Sequence, residues 1–319
     1  MHPFRRALPL LALSLAVLVP SSAMASSARI AGLNVPGDYV KDDTGMFTYL
    51  SAVASSSNQV WIEPGAVEPA MGAVLGNLWD GRTGTWALHL RRFAPQLGQA
   101  TIGDAGITSQ LGFRDPNLNG EALDLMWGHR LGKGTLGLRL NRSFVSNELP
   151  AGTTEGSGNF QRNVWGIGAG YGFSFGEGRD AELSLLWQQR SFQGTNFVTP
   201  SQAKDAGSNS FLIAGRAFMR TSGTLTVVPT VKLYQFDLAA ADAGGAVTDA
   251  LISGWQAGVA GNWTIGSDDL FVLGAQFLNN RSEQTNPGNP QQVIVEKYYP
   301  NAFMALETRV NPWLQLRFG

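Results

Sequence analysis

The sequence predicts an all-β protein: an antiparallel up-and-down transmembrane β-barrel of about 12–14 strands, preceded by a short N-terminal plug-like segment. Three observations predict it. From Trp165 to Phe175 every odd position is apolar, and from Gly166 to Ser174 every even position is small. Alternating runs recur from residue 58 onward, separated by connections that are short and long in turn. The chain also opens with the pattern of an export signal.

Successive side chains of a strand point to opposite faces, so 164–175 presents an aromatic band on one side and a nearly bare face on the other. The bare face is Gly166, Gly168, Gly170, Gly172 and Ser174. Glycine weakens a strand interior unless something approaches it closely. A water-soluble sandwich would carry polar residues there. Aromatics along an outward apolar face fit a membrane barrel. The glycines are not a dinucleotide fingerprint, because no strand-to-helix turn follows them.

Residues 1–25 have the form of a secretory signal peptide. Arg5 and Arg6 supply the positive region, Ala7 to Val19 the apolar stretch, and Ala23-Met24-Ala25 the small-x-small cleavage site. The apolar stretch is too short to span a membrane as a helix. Export through this signal predicts a bacterial outer-membrane location. With no cysteine, a disulfide scaffold and thiolate metal sites are excluded. The balance of 23 basic to 24 acidic residues gives no field for nucleic acid. The 39 glycines exceed the usual share of about 7%.

Residues 26–57 do not alternate and are expected to form an N-terminal plug or a periplasmic segment. Asn34-Val35-Pro36-Gly37 is a turn signal, and Asp42-Asp43-Thr44 is placed to cap a short helix over Gly45 to Ala54. The stretch Asp38-Tyr39-Val40-Lys41-Asp42-Asp43-Thr44-Gly45-Met46-Phe47, followed by Ala52-Val53-Ala54, resembles the opening segment of the long-chain fatty-acid transporter-like outer-membrane barrels. Related secretion-shuttle barrels share that opening. In those families an Asp-Asp-Ala/Thr stretch leads through an aromatic to an Asn-Pro-Ala turn and into the first strand. Here Thr48-Tyr49-Leu50-Ser51 stands where Asn-Pro-Ala is expected. The resemblance covers about 30 residues specifically and implies a barrel that is either a transporter or a shuttle.

Residues 58–319 are assigned to the barrel. The runs are 58–63, 71–78, 85–93, 120–130, 135–146, 160–175, 181–193, 208–220, 224–237, 251–265, 269–281, 292–309 and 313–319. Short connections fall at 80–84, 131–134, 176–179, 221–223, 266–268 and 310–312; long ones at 94–118, 147–159, 194–207, 238–250 and 282–300. Tight periplasmic turns and longer extracellular loops give this parity. Leu136, Leu138, Leu140 and Phe144 are assigned to lipid, and Gly137, Arg139, Asn141 and Ser143 to the lumen. A charge at position 138 is therefore expected to cost much more than loss of the charge at 139. Trp86, Trp127, Trp187, Trp255 and Trp263 suit the interfacial girdles. Thirteen runs break the even-number rule of bacterial single-chain barrels, so either the count is out by one or, the favoured expectation, the chain is C-terminally incomplete.

The lumen-lining candidates are Arg91, Asp124, Arg139, Glu182, Arg190, Arg216, Lys232, Glu307 and Arg309. They read either as a polar constriction that selects anionic or amphipathic solutes or as a salt-bridged filling that holds the barrel closed. Asp115 to Gly120 matches half of a calcium loop, but its twelfth position is Met126 rather than a bidentate Glu. His89 and His129 sit on strands without a ligand cluster or a Ser/Asp partner nearby in sequence. No catalytic, cofactor-binding or metal-binding residue is assigned, and the chain is not read as an enzyme. Outer-membrane lipid, small solutes and the barrel-assembly machinery are the implied partners. The function expected is a porin-like or hydrophobic-solute transport channel; the alternative is a non-transport barrel serving as a docking, shuttle or structural protein.

Overall fold

A computed structural model describes residues 29–30, 33–56, 58–63, 70–76, 83–90, 121–149, 158–195, 203–237, 240–241, 247–266, 269–285, 292–311 and 314–319. The signal-peptide residues, Arg91 and the half calcium loop lie outside them. The strands are β1 (Gln59–Glu63), β2 (Ala70–Leu75), β3 (Thr85–Leu90), β4 (Glu121–Leu131), β5 (Gly134–Leu149), β6 (Gly158–Gly176) and β7 (Arg179–Thr195). They continue as β8 (Ala203–Arg220), β9 (Leu225–Asp237), β10 (Ala240–Ala241), β11 (Val247–Ile265), β12 (Asp269–Thr285), β13 (Gln292–Asn311) and β14 (Leu314–Phe318).

Each strand pairs antiparallel with its sequence neighbour in one meander, with the two-residue β10 standing aside on β11. The expected all-β, antiparallel, up-and-down fold is the one observed. Strands reach further into the long connections than the alternation predicts: β5 runs on to Leu149, β7 to Thr195 and β12 to Thr285. Polar residues on both faces hide the period there, while ladder bonds continue. At the other end the hairpins are tight. Gly132 (φ 62°) and Gly178 (φ 64°) adopt the left-handed conformation that tight hairpin connections use.

The faces follow the predicted register. On β6, Trp165, Ile167, Tyr171, Phe173 and Phe175 are exposed, while Gly166, Gly170 and Gly172 are buried. On β5, Leu138 and Leu140 are exposed, and Arg139, Asn141 and Ser143 are buried. Trp187, Leu233, Trp255, Val259, Leu273 and Phe277 continue the exposed apolar band around the sheet. An apolar outer face backed by a polar inner face is the pattern of a membrane-spanning barrel wall.

Thirteen strands spaced 4.7–4.9 Å apart would span roughly 57 Å if flat. Yet one short segment touches strands near both sheet edges. The Phe47 and His89 rings lie 4.8 Å apart at β3, and Leu33 lies against Gly319, just past β14. The sheet is therefore curled around residues 29–56. Among the described residues, β1 and β14 are not paired with each other.

The enclosed segment is three 3-10 turns, Gly37–Tyr39, Asp43–Phe47 and Leu50–Ser55, rather than the single helix expected over Gly45 to Ala54. Asp42 does cap the second turn, its side chain accepting from the Thr44 backbone N–H at 2.9 Å. A stretch this short gains little from helix propagation. Its side chains instead reach separate parts of the wall, and three apolar clusters result. Met46, Phe47 and Val53 pack on Val74, Ala87 and Met126; Leu33, Val35, Tyr39 and Val40 pack on Phe218, Val228, Ala260, Val272 and Ala305. Tyr49 joins Leu186, Leu212, Tyr234, Phe236 and Ile252.

Candidate functional site

The polar residues of the inner face converge on the enclosed segment. Asp38, in the first 3-10 turn, accepts from Lys232 Nζ of β9 at 2.6 Å and from the Tyr49 hydroxyl at 3.1 Å. Its backbone carbonyl accepts from Arg216 of β8 at 3.3 Å. Arg216 Nε also donates to Glu182 of β7 at 2.6 Å, and its guanidinium stacks 3.9 Å from the Tyr49 ring centre. Glu182 accepts from the Ser51 hydroxyl at 3.0 Å, and Ser184 Oγ accepts the Leu50 backbone N–H at 3.0 Å. Two carboxylates and two cations thus form a neutral buried group. Buried charges persist only when paired and hydrogen-bonded, and every member here is.

A second ion pair stands on the β4–β5 wall. Arg139 Nε donates to Asp124 at 2.7 Å, and its Nη1 donates to the Phe47 carbonyl at 3.1 Å. A third closes the far side, where Glu307 of β13 accepts from Arg29 at 2.8 Å and from Arg317 of β14 at 2.7 Å. Lys41 reaches Asp180 at 3.0 Å on the exposed short-turn rim.

Backbone shape completes the fit. The glycine face of β6 and the facing glycine of β5 form the bed on which Leu50 and Ser51 lie. A methyl added at Gly168 would come within 2.7 Å of the Leu50 side chain, at Gly170 within 3.0 Å of Leu50 Cβ, and at Gly172 within 2.9 Å of Ser51. At Gly137 it would overlap the Leu50 carbonyl, and at Gly128 it would come within 2.8 Å of Ala54 Cα. Glycine also makes room at Gly258 of β11, where the Tyr39 hydroxyl arrives.

Burial sets the titration of the segment. It pushes the Tyr39 phenol up to about 12, with the Asp38 charge adding to the rise. Burial, then the neighbouring Asp38, holds the Tyr49 phenol well above its ordinary value. Asp43 is raised by burial and by the adjacent Asp42. Both phenols therefore stay protonated, and Tyr49 acts as a hydrogen-bond donor.

Of the nine lumen candidates, Asp124, Arg139, Glu182, Arg216, Lys232 and Glu307 bond within this interior. Arg190 is placed on β7, with its side chain outside the described residues, as all of Arg91 is. Arg309 shares the inner parity of Glu307 and is exposed at the short-turn end of β13, where its backbone N–H donates to Asp269 at 2.9 Å. Parity sets the face of a strand residue, not whether the interior extends to its level. His89, which the sequence left without a role, is buried between the Phe47 and Trp61 rings. Asp38, Tyr49 and Ser51 are not among the site candidates that the sequence yields; the glycine stripe of β6 is the signal that something lies against it.

No family model matches the chain, and no curated relative does. Among solved structures, the chain is similar to the transport unit of the autotransporter AIDA-I from Escherichia coli, at 12% identity and a TM-score of 0.35. The likeness covers 86% of this chain and 89% of that one.

Proposed function

We propose that this chain is an outer-membrane barrel that conducts small solutes only when residues 29–56 leave the lumen: a plugged, gated channel rather than an open pore. One observation carries this reading. The inner-face charges suited to selecting solutes are the groups that hold the segment: Lys232 and Arg216 on Asp38, Glu182 on Ser51, Arg139 on Phe47, and Glu307 on Arg29. Segment and solute compete for one set of partners, so displacing the first exposes a polar lining to the second. The lining has both signs, which favours amphipathic or zwitterionic solutes over simple ions of one sign.

A second reading, a permanently closed barrel serving as a docking or structural protein, is favoured by the three apolar clusters that bury the segment. Conductance across planar bilayers separates the two. The gated channel opens in brief events, and Asp38→Asn, which removes the Lys232 ion pair, raises their frequency about ten-fold or more. Silence of both proteins supports the closed barrel.

A further inference from the structure

The outer wall carries a feature that the interior does not use. Strands β3 to β7 form a concavity of about 580 Å³ on the outer face, lined by the outward side chains of Trp127, Leu138, Leu140, Ile167, Leu185 and Trp187. One step further along the same face stands Arg142, two residues beyond Leu140 on β5 and paired in register with Trp165 of β6. Two residues of strand are about 6.7 Å, so the arginine heads the groove. Its guanidinium lies 4.6 Å from the Trp165 ring centre and 5.9 Å from that of Phe144.

Three facts make this cation unusual. It is exposed on the apolar outer face, whereas the charges of the inner face are paired. Among the described residues it enters no ion pair. It also sits where the wall turns from apolar to polar: its cross-strand row runs from Leu123 on β4 through Trp165 to Gln189 and Asn209, while the next row down is Leu125, Leu140, Ile167, Trp187 and Phe211. A charged side chain at that boundary serves a headgroup, and its aromatic cradle fixes it in place.

We propose that Arg142 and the groove below it form a binding site for one phosphate-bearing lipid of the leaflet on the long-connection side. The guanidinium takes the phosphate as a charge-assisted, forked hydrogen bond. The acyl chain lies in the groove over Leu140 and Leu138, with Trp187 and Trp127 as its walls. This inference rests on the membrane-spanning reading of the barrel and not on transport.

The test is native mass spectrometry of the full chain released from nanodiscs containing either dioleoyl phosphatidic acid or dioleoylglycerol, which differ only in the phosphate. Wild type is expected to retain phosphatidic acid about ten-fold better than dioleoylglycerol, as one charge-assisted contact implies. Arg142→Ala should reduce that retention to the dioleoylglycerol level, and Arg142→Lys should keep part of it. Ala169→Phe, which fills the groove from its outward position on β6, should lower retention with Arg142 intact. Equal retention of the two lipids by wild type, or retention unchanged in Arg142→Ala, overturns the site. Retention unchanged in Ala169→Phe overturns the groove as the seat of the acyl chain. A chain that fails to enter nanodiscs sinks the barrel reading itself; a chain that enters and holds both lipids alike sinks only this site.

Discussion

The backbone carbonyl of Leu50 lies directly against the α-carbon of Gly137, so closely that a β-carbon at 137 would overlap it. Residue 50 belongs to the enclosed segment and residue 137 to the wall, so this contact measures how tightly the lumen is filled. Gly137→Ala should destabilise the docked segment by about 1–3 kcal/mol through overpacking. Gly223→Ala, at a turn where an added methyl meets nothing within 4 Å, should change stability by less than about 0.5 kcal/mol. Urea unfolding of the detergent-solubilised protein measures both. Equal effects would mean that the segment does not rest on β5.

The outer and inner faces of β5 can be compared at adjacent positions. Leu138→Arg should cost about 2–4 kcal/mol, since its side chain faces hydrocarbon. The sequence alone suggested a much smaller cost for Arg139→Leu. The Asp124 ion pair and the Phe47 carbonyl bond change that expectation. Leaving Asp124 buried and unpaired should cost about 3–5 kcal/mol, and Arg139→Leu combined with Asp124→Leu should recover much of it. Unfolding midpoints of the three variants decide this. A silent Arg139→Leu would mean that the interior is wetter than the packing indicates.

That revision marks the boundary of what the sequence made legible. Alternation placed the strand cores and the faces of Leu138, Arg139, Leu140 and Asn141, because a period of two is read directly from residue types. The long ends of β5, β7 and β12 escaped it, because polar residues on both faces carry no period. The inner face was legible as a list of charges but not as a set of pairs. Asp38 and Lys232 are 194 positions apart. Nothing local in either stretch announces the other. The turns Asp43–Phe47 and Leu50–Ser55 read as one helix in the sequence because their conformation is set by the wall they pack on. Only the glycines of β6 pointed across that gap.

Acidity should act on the segment through Asp43. Burial and the neighbouring Asp42 raise its pKa in the folded protein. A raised carboxyl pKa contributes stability that is fully present below the ordinary value of about 4 and is lost as pH rises through the folded value. Asp43→Asn removes the titration. Its stability relative to wild type should therefore grow as pH increases from about 4 toward neutrality. Unfolding midpoints of the two proteins across that range provide the check, and a difference largest at low pH would contradict the sign.

Sidedness follows from the connections. Single cysteines at Ala151 and Ala243, in the long connections, should react with an impermeant thiol reagent on intact cells. A cysteine at Gly178, in a short hairpin, should not. The chain has no cysteine of its own, so the background is nil. Labelling confined to position 178 would invert the barrel and move the lipid site to the opposite leaflet.

The proposed gate is tested most directly by locking it. A Cβ at Gly170 would lie 3.0 Å from Leu50 Cβ and would crowd Ser184 Oγ, so once the Ser184 hydroxyl turns aside a small shift brings Leu50→Cys and Gly170→Cys to disulfide geometry. Single-channel recording of the double variant in a planar bilayer should show openings under reducing conditions, none after oxidation, and openings again on re-reduction. Openings that persist unchanged in the oxidised protein would show that solutes pass without displacement of residues 29–56, and would contradict the gated-channel account.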